Sequence, residues 1–294
     1  MPIVYIIISI IVIYSLEKIW QEYHILSNSR SIKTLYHMKK LFIIPLMFVV
    51  SMAYCQEFYI TFEFMKVEDK NLIDYLELEE FWSKIHQEGI NDGAYTGWDL
   101  WSLKPGGQEQ GYQYLVVTVF DDMKKMLSGS SIDEILARAK KAYPDLTEEQ
   151  IREKTMAGSD SRSRGKVLYC AVIDGTEGEF NMPLGTIATV GLMKASNNDA
   201  YVKAEREVFK PMHQKSVNDG LKGSWSLARI ISPTGSETFA SHFTVNMYED
   251  VDQYLSEQNS DFSNYVTDWD AVDKGLLTRE MRWVYMATLE KKLR

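Results

Sequence analysis

The most apolar part of the chain is its beginning, where two largely hydrophobic runs occur. One covers residues 3–14 and the other covers residues 41–54, directly after Met38-Lys39-Lys40. A basic start, an apolar run of this length and small residues at the exit are typical of a secretory signal peptide. We therefore predict a signal peptide over residues 38–55 and export of the remainder, to the periplasm or the outside of the cell.

With a signal peptide at residues 38–55, residues 1–37 have two possible roles. They are an upstream extension that is not translated, because translation starts at Met38, or they are an additional apolar segment of the protein. The first run is shorter than the roughly 18 residues that a helix needs to cross a bilayer, which favours the start at Met38. Two alternatives remain open. One or both runs anchor the same protein in a membrane, or Cys55 is lipidated, although Tyr54 is larger than the residue that usually precedes a lipidated cysteine.

Beyond residue 55 the pattern of apolar and polar positions predicts strands and helices in one order, twice. Each half has a strand, a helix that stops at a glycine, a hairpin, a second helical region and a closing strand. The predicted strands are 57–66, 96–103, 112–120 and 165–173 in the first half and 186–194, 224–231, 238–248 and 279–289 in the second, and the first helices are 76–92 and 199–219. The first half adds helix 132–142, a capping box at 147–150 that opens another helix, and a loop at 159–164.

The two halves are copies of one another. His86-Gln-Glu-Gly-Ile-Asn-Asp-Gly93 matches His213-Gln-Lys-Ser-Val-Asn-Asp-Gly220 at five positions, and other matches recur at the same separation of 127 to 128 residues. These include Met65-Lys66 with Met193-Lys194 and Trp98 with Trp225. A fixed separation over many matches indicates a tandem duplication. We predict repeats at 56–173 and 184–294, with a linker at 174–183.

Composition and charge exclude several functions. A formal net charge of −9 argues against a nucleic-acid partner, which requires a basic surface. Cleavage before Gln56 would leave Cys170 as the single cysteine, so no internal disulfide can form, and its apolar surroundings predict a buried, inert thiol. Nucleotide-binding, serine-hydrolase and zinc-protease motifs are absent, and no metal site is predicted.

Three duplicated pairs are the candidate ligand-binding residues. His86 and His213 lie four residues after Trp82 and Phe209, which puts each at the border of an apolar helix face, and imidazole can act as acid, base or ligand. Trp98 and Trp225 could wall a pocket, and Lys66 and Lys194 could meet an anion. The structural alternative is that each histidine caps or packs the end of its helix, where Gln, Asn and Asp make local hydrogen bonds that stop the helix before Gly93 and Gly220. In that case the tryptophans fill the core and the lysines are solvated.

The β-α-β-β-α-β order of each half is that of ferredoxin-like folds. In tandem, over residues 57–290, it resembles the dimeric α/β-barrel superfamily, which includes NIPSNAP proteins, antibiotic-biosynthesis monooxygenases and haem-handling relatives. The resemblance implies an α+β fold in which two repeats close one pseudo-dimeric barrel, and hence a monomer with pseudo-twofold symmetry. It also implies a pocket between the sheet and the first helix of each unit, for small aromatic ligands, oxygen chemistry or haem. No catalytic residue of that family can be matched here.

Two functions follow from these features. The first is a non-catalytic module that binds a small, largely apolar or aromatic ligand or a partner protein. The alternative is an enzyme, a cofactor-independent oxygenase or a haem-related activity that uses His86 or His213. The first is favoured because the sequence shows neither a nucleophile nor a cofactor loop.

Overall fold

A computed structural model describes residues 58–105, 107, 109, 111–156 and 161–294, which belong to one compact unit. The predicted upstream extension, signal peptide and cleavage site lie outside the described residues. Among the described residues there is no helix with the length and apolar character that crossing a membrane requires.

The first repeat contains the expected strands and first helix, followed by three shorter helices. Its elements are β1 (Phe58–Lys66), α1 (Leu72–Asn91), β2 (Gly97–Lys104), β3 (Tyr114–Phe120), α2 (Met123–Ser128), α3 (Ile132–Ala142), α4 (Glu148–Met156) and β4 (Ser163–Gly175). The capping box before α4 is present, because Thr147 and Gln150 exchange hydrogen bonds between side chain and backbone. The prediction of a loop at 159–164 is wrong for its last two residues, because Ser163 and Arg164 belong to β4 and pair with Lys66 and Met65.

The second repeat has the same order of elements. They are β5 (Ile187–Ala195), α5 (Asn198–Ala204), a π-helical turn (Glu205–Phe209), α6 (Lys210–Asn218), β6 (Ser224–Ser232), β7 (His242–Tyr248), α7 (Val251–Gln258), α8 (Trp269–Leu276) and β8 (Arg279–Leu293). Strand β7 begins four residues later than predicted, because Thr238 folds back on Gly235 through its backbone N–H and its hydroxyl.

The eight strands form one closed antiparallel barrel in the order β1-β3-β2-β8-β5-β7-β6-β4. Each repeat contributes four adjacent strands, and the repeats join where β2 pairs with β8 and β4 pairs with β6. The sequence-based expectation of two β-α-β-β-α-β units that close a pseudo-dimeric barrel is therefore confirmed.

Alternation along the strands decides which side chains fill the barrel. Ile60, Phe62 and Phe64 point into the central core, whereas Thr61 and Met65 lie on the outer face. Both repeats share the core, as the contact between Phe62 and Phe243 shows, with ring centroids 4.6 Å apart. Cys170 is fully buried there, and burial raises the pKa of its thiol, so the predicted inert character holds.

The first helices of the two repeats differ by one residue. His86 and His213 are 127 positions apart, but Glu79 and Glu205 are 126 apart. The extra residue of the second repeat falls in the π-helical turn, Glu205–Phe209, which absorbs it in a wider turn. Both helices end at a glycine with φ of 76°, Gly93 and Gly220, as the sequence predicts.

Candidate functional site

A cavity of about 820 Å³ lies in the first repeat between α1 and the outer face of the sheet. Thr61 of β1 and Thr118 of β3 contribute to its floor, and Glu79, Trp82 and His86 of α1 form the opposite wall. The loop between α2 and α3 and the start of α3 complete the lining. This is the place where the resemblance to dimeric α/β barrels implies a pocket.

His86 is held in the wall of the cavity by two aromatic neighbours. Its ring stacks on Trp98, with centroids 4.9 Å apart and planes inclined by 17°, and its Nδ1 lies 2.8 Å from the hydroxyl of Tyr95. Burial, together with the positive charges of Arg138 and Arg162, lowers the pKa of His86 to about 3. The imidazole is therefore neutral at physiological pH.

His86 packs on Trp98 near the end of its helix and does not cap the helix, which is one form of the structural alternative. The helix end is stabilised by other members of the duplicated motif, since Gln87 donates to Asn91 and Asp92 accepts from the N–H of Ala94. Among the described residues, none makes a hydrogen bond to Nε2 of His86. The ring thus offers one nitrogen to the cavity.

A buried ion pair forms the second polar feature of the cavity. Nε of Arg162 donates to Oε1 of Glu79 at 3.3 Å, and the Glu79 side chain is only 4% exposed. Burial raises the pKa of the Glu79 carboxyl, while Arg162 acts in the opposite direction. Tyr75, fully buried, lies one helical turn before Glu79 and packs on Tyr114, with ring centroids 4.8 Å apart.

Two indole N–H groups beside the cavity have no acceptor. Nε1 of Trp82 and Nε1 of Trp98 are buried and lack a hydrogen-bond partner among the described residues, although both residues line the cavity. A buried donor without an acceptor is costly, typically about 1–3 kcal/mol. Nε1 of Trp225 in the second repeat likewise lacks a partner among the described residues, so this feature is shared by both repeats.

The second repeat keeps the histidine and tryptophan but surrounds them differently. His213 stacks on Trp225, with centroids 5.0 Å apart and planes inclined by 18°. Where the first repeat has Tyr95, the second has Lys222, whose Nζ lies 2.9 Å from Nδ1 of His213. Burial and the charge of Lys222 lower the pKa of His213 well below its usual value.

Lys222 is the centre of a buried polar cluster between the first helix and the sheet of the second repeat, the place that corresponds to the cavity. Its ammonium group donates to Asn246 at 2.7 Å and lies 3.2 Å from Glu257, which also accepts from the hydroxyls of Ser216 and Tyr248. By sequence offset, Asn246 occupies the place of Thr118 and Glu257 that of Gly129. The shorter residues of the first repeat leave the space open, so the two repeats have diverged at this site.

The two predicted lysines do not join the histidines. Lys66 is exposed at the end of β1 and is not among the residues that line the cavity. Nζ of Lys194 donates to the carbonyls of Gly235, Ser236 and Thr238 and to the Thr238 hydroxyl, at 2.9 to 3.1 Å. Lys194 therefore holds the turn between β6 and β7 in place. Trp98 and Trp225 are buried, with 0% and 1% exposure, and Trp98 also contributes to the lining of the cavity.

Sequence reasoning did not single out Glu79, Arg162, Tyr95 or Lys222. Tyr75 and Glu79 recur as Tyr201 and Glu205, at a separation of 126 residues. The other matches are separated by 127 to 128 residues, so a comparison at that separation alone does not align these two pairs. Arg162 has a structural counterpart in Arg279, whose Nη1 lies 3.6 Å from Glu205. These arginines are 117 positions apart because the first repeat carries longer helices before its last strand. A search that tolerates insertions could have found the glutamates, whereas the arginines required the fold.

Metal ligands do not cluster in the part of the chain that the structure describes, where no group of three or more His, Cys, Asp or Glu side chains could hold an ion. The absence of a metal from the protein stays a prediction.

Similarity to known proteins is confined to structure. No family model matches the sequence, and no curated protein matches it either. A protein from Fusobacterium nucleatum, which its name assigns provisionally to the monooxygenases, superposes with a TM-score of 0.51 at 10% identity, over 81% of this chain and 94% of its own. A protein from Lactobacillus acidophilus with a similar provisional name gives a TM-score of 0.47 at 10% identity, over 81% and 95%. A haem-binding protein from Thermus thermophilus gives 0.45 at 11% identity, over 79% and 90%. At these identities the likeness shows the fold alone, which is the dimeric α/β barrel built from a single chain.

Proposed function

We propose that the protein is a ligand-binding module and that the cavity of the first repeat holds a small, largely aromatic ligand. The observation that carries the proposal is the contrast between the repeats. The same helix and strands surround about 820 Å³ of space in the first repeat, where the second places Lys222 and Glu257. A concave space between helix and sheet, lined by both aromatic and charged side chains, can hold a small molecule.

The state of His86 favours binding over acid-base catalysis. A general base works best when its pKa lies near the operating pH, and an imidazole with a pKa of about 3 is a weak base at neutral pH. His213 is a poorer candidate still, because the Lys222 ammonium can only donate to its Nδ1. A neutral, stacked imidazole instead supplies a flat wall and one hydrogen-bonding nitrogen to an aromatic ligand.

The test is calorimetric titration of the full chain with 2-naphthoate and with its uncharged analogue 2-naphthamide. We expect saturable binding that Thr118→Phe weakens at least about tenfold, because the larger side chain occupies the cavity. The matched control is Thr96→Phe, which adds the same side chain at an exposed position that does not line the cavity.

Two outcomes would redirect the proposal. If neither probe binds, or if Thr118→Phe binds both as well as the unmodified protein, the cavity is not the ligand site. If the purified protein instead carries a Soret absorption band that His86→Ala removes, the haem-related alternative gains support, with Nε2 of His86 as the nitrogen that would hold the iron. Export of the mature chain from Gln56 is a separate proposal.

A further inference from the structure

We infer that the cavity selects ligands that carry a carboxylate, and that Arg162 is the residue that receives it. This inference rests on the proposed binding function and narrows it to one chemical class. Four observations on Arg162 and its surroundings support it.

First, the guanidinium of Arg162 has unused donors in the cavity. Nε is bonded to Glu79, and the described residues provide no acceptor for the two terminal nitrogens. Arg162 lines the cavity and its side chain is 17% exposed, so these N–H groups are within reach of a ligand. A guanidinium presents its donors as a planar fork that matches the two oxygens of a carboxylate.

Second, Arg162 is fixed in position before any ligand arrives. Its partner Glu79 lies on α1, is almost fully buried and cannot move without breaking the packing of the helix on the sheet. An arginine that is already held loses less side-chain freedom when it binds a ligand.

Third, the corresponding pair of the second repeat, Arg279 with Glu205, is covered by aromatic side chains. The guanidinium of Arg279 lies 4.5 Å from the ring centroid of Phe209 and 5.8 Å from that of Tyr201, so aromatic rings cover it. Trp82 takes the place of Phe209 in the first repeat, but its ring packs near His86, with centroids 5.9 Å apart. Among the described residues no aromatic ring stacks on the guanidinium of Arg162, whose side chain is 17% exposed, against 10% for Arg279.

Fourth, the cavity lining carries six basic side chains and five acidic ones, a small excess of positive charge. The acidic side chains of the lining are already engaged: Glu63 pairs with Arg164, Asp92 pairs with Arg138, and Asp122 and Glu134 accept backbone N–H groups at helix starts. Lys124 and Lys141, also in the lining, make no ion pair with a described residue.

The experiment compares 2-naphthoate with 2-naphthamide, which have the same ring and differ in charge. In the unmodified full chain we expect the carboxylate to bind about tenfold to a hundredfold more tightly than the amide, the range for a charge-assisted hydrogen-bonded pair. Arg162→Gln should reduce the affinity for the carboxylate by that factor and change the affinity for the amide about twofold at most. Arg279→Gln, the equivalent change in the second repeat, should leave the ratio of the two affinities unaltered.

Each result bears on a distinct statement. Equal affinity of the two probes for the unmodified protein overturns the inference while the binding function stands, and this comparison does not depend on any variant folding. Loss of the preference in Arg279→Gln but not in Arg162→Gln also overturns it. Absence of binding by both probes overturns the proposed function itself. If circular dichroism shows that Arg162→Gln is unfolded, Arg162→Lys keeps the charge without the fork, and a preference that stays unchanged in that variant counts against recognition by the guanidinium.

Discussion

At the scale of the residue, one substitution between the repeats determines what the duplicated histidine can do. Both rings stack on a tryptophan, but Nδ1 of His86 meets a hydroxyl and Nδ1 of His213 meets an ammonium. A hydroxyl can donate or accept, whereas an ammonium only donates. His213 is therefore restricted to the tautomer in which Nδ1 accepts a hydrogen bond. His86 can adopt either tautomer, so its Nε2 can donate to a ligand or accept from it.

Both rings also make stability depend on pH. Each is neutral in the folded protein, because burial lowers its pKa, to about 3 for His86, whereas the ring in the unfolded chain titrates near 6.5. Below pH 6.5 the unfolded state therefore binds more protons, and the fold loses up to about 1.4 kcal/mol per pH unit for each histidine.

We predict that His86→Gln flattens this dependence. Between pH 6.5 and pH 5, urea unfolding should show a loss of stability that is smaller in the variant by up to about 2 kcal/mol. Buried carboxyls with raised pKa values, such as that of Glu79, act in the opposite direction in acid, so the difference between variant and unmodified protein is the informative quantity. Lys84→Gln, exposed on the same helix, serves as the control. A slope that His86→Gln leaves unchanged would show that the ring titrates normally in the fold.

At the scale of the element, the helix of the second repeat carries one residue more than α1 without disturbing either end. Before the insertion, Tyr201 and Glu205 match Tyr75 and Glu79, and after it His213 matches His86. The π-helical turn adds its residue locally, and the α-helical segments on both sides keep the faces that pack on the sheet.

We predict that removing the insertion is tolerated. Deletion of Glu207, an exposed residue inside the π-helical turn, should convert it to an ordinary α-helical turn and lower the melting temperature by only a few degrees, which corresponds to about 1 kcal/mol. The control is deletion of Lys84, exposed in α1 between Glu79 and His86, where no π-helical turn is present.

Comparing the two deletion variants shows whether the helices tolerate the loss of any residue or only the loss of the inserted one. Loss of Lys84 rotates every later residue of α1 by about 100° relative to the sheet, which removes His86 from Trp98 and should cost several times more stability. Equal melting temperatures for the two deletion variants would contradict this account.

At the scale of the whole molecule, one chain closes a barrel whose two seams are β2 with β8 and β4 with β6. At the first seam, Arg294 donates from both terminal nitrogens to Asp99, at 2.7 and 3.0 Å, and the Asp99 side chain is 5% exposed. Burial raises the pKa of Asp99, and the bonds from Arg294 act against that rise. Because the chain supplies both halves, a monomer remains our prediction.

We predict that Arg294→Ala lowers the free energy of unfolding by about 2–3 kcal/mol, because it leaves a buried carboxylate without its partner. The second repeat has Ser226 in the place of Asp99, so Asp99→Ser combined with Arg294→Ala should regain most of the loss. Lys274→Ala breaks the exposed pair with Asp270 and should cost less than about 1 kcal/mol. If Arg294→Ala costs no more than Lys274→Ala in chemical denaturation, the seam does not depend on this pair.

The sequence by itself determined the repeated order of strands and helices. Apolar positions recur every two residues in strands such as β1 and every three to four residues in helices such as α1. A glycine follows each of the first helices. Both the periodicity and the glycines are local properties of the sequence. Duplication then implied two units of one fold, and the resemblance to dimeric α/β barrels gave the closed barrel. His86 and Trp98 were found because they recur at a fixed offset.

Only the tertiary structure decided which repeat has room for a ligand. Whether space remains between helix and sheet depends on the combined volume of residues that are distant in sequence, such as Thr118 and Gly129 in one repeat and Asn246 and Glu257 in the other. In the same way, Arg162 meets Glu79 across 83 positions, and Lys194 turns from a candidate ligand into the support of a loop through bonds to residues more than 40 positions away. Neither packing volume nor the partner of a charged side chain can be found from a local pattern, because both depend on how the closed barrel brings its elements together.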